Sequence, residues 1–79
     1  MVRLKDLLNG ICPGEKVYIT VEAERNLDLI LYEGYGYEEA YEYAEKHPNC
    51  YLIQIKAKPR MTKGYYFDIE CYLKERRDK

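Results

Sequence analysis

The chain has no tryptophan, no serine and a single histidine. Without serine there is no Ser-based triad and no nucleophile elbow, since both need that hydroxyl. The one imidazole, His47, lies between Lys46 and Pro48. Cys50 follows three residues on, but the proline breaks the helix that would align thiol and base. His47 therefore reads as a helix C-terminal residue whose ring suits the dipole. Cys12, Cys50 and Cys71 are odd in number, form no CxxC pair and have no zinc spacing, so they read as reduced thiols. Long apolar runs are also missing: none is longer than Leu29-Ile30-Leu31-Tyr32, far short of the roughly 18 residues a membrane span needs. Arg3, Lys5 and Asp6 interrupt the opening, so no signal segment is read and the expected compartment is the cytoplasm.

Ligand motifs are equally sparse. Gly34-Tyr35-Gly36 starts like a dinucleotide loop, but Glu39 stands where the third glycine belongs. Gly14-Glu15-Lys16 lacks the rest of a phosphate loop. The acid pairs Glu22/Glu24 and Asp68/Glu70 share strand faces at i, i+2 and read as solvated charges. The expectation is a protein that is not an enzyme and needs no metal or cofactor.

What is present is ordinary for a folded domain. Of 79 residues, 47% are hydrophobic and 34% charged, which excludes disorder and gives one domain, 1–79, with a thin core. Net charge is −1, yet the two ends differ. Residues 1–45 hold four basic and ten acidic residues, and residues 46–79 hold nine basic and four acidic. An acidic face and a basic face follow, without a sign that selects one partner.

Apolar periodicity assigns the elements. Leu4, Leu7, Leu8 and Ile11 give a helix over Val2–Asn9, with Gly10 as a left-handed stop. Lys16–Glu24 and Leu27–Glu33 alternate as strands. A three-residue loop, Glu24-Arg25-Asn26, sets Val21 against Leu29 and Ile19 against Leu31, with Asn26 left-handed. Gly34-Tyr35-Gly36 is a joint. Tyr37–Lys46 is a second helix with Tyr37, Ala40, Tyr41 and Ala44 inward, ended by Pro48. Tyr51, Ile53, Ile55 and Ala57 then share one face of a third strand. Tyr65, Phe67, Ile69, Cys71 and Leu73 share one face of the last. Ile55 is placed opposite Phe67 and Ile53 opposite Ile69, across a loop over 58–64, and 75–79 reads as a frayed tail. The fold read is α+β, in the order α-β-β-α-β-β: a four-stranded, mostly antiparallel sheet with both helices on one face.

Three surfaces are candidates. The sheet face away from the helices would carry Tyr18, Ile30, Tyr32, Leu52, Tyr66 and Tyr72, together with Cys50, more aromatic area than a solvated face requires. Strand propensity alone is the competing account of those tyrosines. Lys56, Lys58, Arg60 and Lys63 form a basic patch at the last hairpin, with Lys74, Arg76, Arg77 and Lys79 following. Glu38, Glu39, Glu42 and Glu45 form the acidic side of the second helix, which is also what a solvated helix face looks like.

Val2-Arg3-Leu4-Lys5-Asp6-Leu7-Leu8, Lys16-Val17-Tyr18-Ile19 and Leu31-Tyr32-Glu33-Gly34 resemble small uncharacterised proteins of bacterial prophages and integrative elements, over roughly the first 35 residues. That resemblance implies a mobile-element accessory protein and assigns no activity. The leading expectation is action through protein contacts, as a homodimer through the tyrosine face or with another protein, and with no membrane partner. One alternative is a nucleic-acid-binding module using the basic hairpin and tyrosines. Another is an inhibitor of a host system presenting the acidic helix.

Overall fold

A computed structural model describes residues 1–75. The elements are α1 (Leu4–Asn9), β1 (Val17–Ala23), β2 (Asn26–Tyr35), α2 (Tyr37–Lys46), β3 (Cys50–Pro59) and β4 (Tyr65–Leu73). Arg76, Arg77, Lys79 and most of the expected frayed tail lie outside the described residues. The four strands form one sheet in the order β2-β1-β4-β3. The outer pairs are antiparallel and the central pair, β1 with β4, is parallel.

Alternation along β1 and β4 decides where the core lies. Val17, Ile19 and Val21 pair with Phe67, Ile69 and Cys71 on one face. That face joins Leu4 and Leu8 of α1 and Ala40 and Ala44 of α2 in a single buried cluster. The helices pack on each other, α1 against β3 and α2 against β1 and β2. The alanines let α2 sit close to the sheet. At six residues α1 is too short to hold itself. Burial of Leu4 and Leu8 fixes it, with the Tyr37 hydroxyl donating to the Leu8 carbonyl at 2.7 Å and that of Tyr41 to Asn9 Oδ1 at 3.0 Å.

Several local expectations are corrected. The first helix starts at Leu4, because Val2 and Arg3 are spent on the outer edge of β3. Leu52 N donates to the Val2 carbonyl at 2.8 Å, and Arg3 bridges Tyr51. Gly10 ends α1 with φ −91°, in the right-handed region, and no non-glycine residue has positive φ among the described residues, Asn26 included. The last hairpin is shifted by one pair: Ile55 lies opposite Ile69 and Ala57 opposite Phe67.

The largest difference is in β2. The loop has two residues, with Ala23 opposite Asn26, and irregularities then shift the register so that Val21 faces Tyr32 and Ile19 faces Gly34. The cause is the Tyr32 ring. It packs over Gly34 and stacks on Tyr43 of α2 at 4.1 Å, while its hydroxyl donates to Glu39 at 3.1 Å. A Cβ on Gly34 would lie 2.9 Å from the Tyr32 ring and 3.3 Å from Ile19 Cγ1. Gly34→Ala is therefore expected to destabilise by about 1–2 kcal/mol in urea titrations, partly recovered when Tyr32→Ala is added. No loss at Gly34→Ala would mean that the ring is free to move aside.

Candidate functional site

The expected tyrosine face does not form as one patch. A bulge between Leu52 and Gln54 returns Cys50 and Leu52 to the helix-covered face, opposite Leu73 and Cys71, and puts Tyr51 on the other face opposite Tyr72. The shift in β2 likewise takes Tyr32 to the covered face. Tyr18, Ile30, Tyr66 and Tyr72 keep the second face, but they are divided. Tyr72 and Tyr51 stack at 5.8 Å at one end, beside Ile30 and Glu22. Tyr18 stacks on Tyr35 at 4.8 Å at the other end, next to Tyr66. Between them lie Thr20, Glu22, Gln54, Lys56, Asp68 and Glu70, which line a shallow concavity of about 290 Å³.

The acids in that concavity pair across strands, not along them. Glu22 is only 7% exposed, and its Oε1 is buried without a hydrogen-bond partner. Burial, then the hydrogen bond to Glu70 and the negative charges of Glu70 and Asp28, push its carboxyl up to about 7. Glu70 moves the other way, held below the usual carboxylate range by the proton Glu22 donates and by Gln54, whose amide donates to it at 2.6 Å. The two share a proton, as close carboxylates do.

The basic patch is exposed but not uniformly available. Lys58 Nζ lies 2.9 Å from Asp68, a pairing that raises the lysine's pKa. Lys56, Arg60 and Lys63 make no salt bridge among the described residues. The structure adds two residues the sequence reading missed, Lys16 and Tyr35. With Val17, Tyr18, Gly36, Arg60 and Tyr66 they line a cleft of about 500 Å³ at the end of the sheet where β1 and β4 begin. Its flanking glycines, Gly34 and Gly36, mark Tyr35 as part of a joint. Its place one alternation beyond Glu33 was the available signal.

Glu38, Glu39, Glu42 and Glu45 are all exposed, as their spacing required. Glu39 accepts from Tyr32, and Glu45 lies 4.0 Å from Lys5, so two of the four already have partners. His47 is a helix end group: its ring stacks on Tyr43 at 4.1 Å and Nδ1 lies 3.1 Å from the Tyr43 carbonyl. Burial pushes the Tyr43 hydroxyl up to about 12. Cys12 is exposed, Cys50 and Cys71 are buried, and all three are free.

The other departure from expectation is apolar. The irregular half of β2 carries Leu27, Leu29, Ile30 and Leu31, which are 51%, 51%, 49% and 47% exposed. Leu29 and Leu31 were expected in the core against Val21 and Ile19. Those places are taken by Tyr32 and Gly34. No described helix is long and apolar enough to cross a membrane. No family model, curated protein or solved structure matches the chain.

Proposed function

We propose that this protein is a non-enzymatic accessory protein, of the kind mobile elements encode, that acts through protein contacts and self-associates along the edge strand β2. The observation that carries this reading is the run of four half-exposed aliphatic side chains at Leu27, Leu29, Ile30 and Leu31 on an outer strand of the sheet. Large apolar side chains gathered on one exposed segment, rather than scattered singly, are what soluble domains keep for a contact surface. An uncovered strand edge also offers free backbone donors and acceptors to a second strand. The two edges of this sheet are treated differently. Val2 and Arg3 pair along β3, whereas β2 has no outer partner among the described residues.

A second copy is the occupant favoured by symmetry. Two identical edge strands placed antiparallel about a two-fold axis close the assembly and leave no further free edge there. The test is solution mass by light scattering from micromolar to sub-millimolar protein. A dimer is expected, and Leu29→Lys with Ile30→Lys should return it to a monomer with unchanged circular dichroism. A wild-type monomer throughout, or a double variant that dimerises as tightly as wild type, would refute the reading.

A further inference from the structure

We propose that the cleft lined by Tyr18, Tyr35 and Tyr66, flanked by Lys16 and Arg60, binds a nucleoside phosphate, free or within a single strand. Its volume of about 500 Å³ falls in the range of small-ligand sites. The lining combines what such a ligand needs. Tyr35 is 70% exposed, so one ring face is open while the other is backed by Tyr18 at 4.8 Å. A ring held from behind loses little freedom when a base stacks on it. Tyr18 is itself held, its hydroxyl donating to Glu33 at 3.0 Å.

Two cations stand on the same cleft, from different parts of the chain. Lys16 precedes β1, where its carbonyl accepts from Phe67 N at 2.8 Å. Arg60 sits in the last hairpin loop, closed by its own N–H donating to the Gly64 carbonyl at 3.1 Å. Gly64 has φ +91°, a conformation that suits glycine. Neither Lys16 nor Arg60 is in a salt bridge among the described residues, and a guanidinium is the side chain best shaped for phosphate oxygens.

The surroundings fix an orientation. The neighbouring hollow shares Lys16, Tyr35 and Gly36 with the cleft but is lined by Glu15, Glu38 and Glu39, whereas Arg60 lines only the cleft. A phosphate is repelled there and attracted towards Arg60, so the base stacks on Tyr35 and the phosphate lies on the Arg60 side. A free nucleotide and a single strand share this chemistry, and both can be offered.

The experiment uses the whole chain. A fluorescently labelled ten-nucleotide oligothymidylate is titrated by anisotropy, and uridine monophosphate by calorimetry, each at 50 and 200 mM salt. With two phosphate contacts, oligonucleotide affinity should fall about sevenfold over that range. Tyr35→Ala should weaken binding about tenfold, and Arg60→Ala should weaken it and flatten the salt dependence. Both positions are exposed, so circular dichroism should not change. Binding of the oligonucleotide alone identifies a single strand, and binding of the mononucleotide identifies a nucleotide; either supports the site. No binding of either probe at 50 mM salt overturns it, as does binding that both substitutions leave unchanged.

Discussion

Replacing Ile19 with alanine is expected to cost about 3 kcal/mol and to lower the melting temperature by roughly 12–24 °C. Ile19 is fully buried. It stands at the centre of the sheet, with Ile69 beside it on β4 and Gly34 beside it on β2. Gly34 has no side chain with which to fill the space, and neither Ala40 nor Ala44, the buried residues of α2, is long enough to do so. The removed methyl groups therefore leave a cavity instead of being replaced. A domain of 79 residues has only about 4–12 kcal/mol to lose. Thermal melts followed by circular dichroism test this, with fully exposed Met61→Ala as the control that should not move. An Ile19→Ala loss below about 1 kcal/mol would mean that α2 can settle onto the sheet.

The second large effect is on pH. The Glu22 carboxyl titrates at about 7 in the folded chain against 4.5 when unperturbed. Between those values the folded chain holds a proton that the unfolded chain has lost. Its contribution is thus fully present below about pH 4.5 and is lost as pH rises through about 7. Glu70, held low, acts in the opposite sense: its contribution is present above its unfolded value and is lost on acidification. Asp28 from β2 adds to the repulsion on Glu22, while Lys56 from β3 favours the Glu70 carboxylate. Since one pKa unit is worth about 1.4 kcal/mol, Glu22→Gln is expected to stabilise the protein at pH 8 by about 1–3 kcal/mol. Near pH 5 the change should be small, because a glutamine amide donates to Glu70 much as the protonated acid does. Urea titrations at pH 5, 6, 7 and 8 read this directly. Parallel wild-type and Glu22→Gln profiles would show that the pair does not share a proton.

The element order was legible in the sequence because period-2 and period-3.6 patterns are local, and Gly36 and Pro48 mark the ends of α2. Register was less so. In β2 the leucines match the apolar alternation better than Tyr32 does, and only the stacking partner on α2, Tyr43, makes the tyrosine the better core residue. In β3 the bulge after Leu52 reverses the alternation, which no spacing within one strand reveals. The same limit explains Glu22 and Glu70. They were read as members of separate i, i+2 pairs, whereas β1 and β4 bring them together from opposite ends of the chain. Lys16 and Tyr35 carry little signal because each lies at the margin of a strand, where a pattern is shortest.

The parallel centre of the sheet has a bearing on how the fold is reached. Each outer hairpin joins neighbouring segments and can form by itself, but β1 finds its second partner only in the last strand. Until Tyr65–Leu73 is available, β1 and β3 both present open edges and Ile19 has nothing beside it but Gly34. Closing so distant a pair is the slow part of sheet assembly. A growing chain therefore carries its leucine-rich β2 and the open edge of β1 together until Tyr65–Leu73 has emerged, and in that interval it is most exposed to mispairing with another copy of itself.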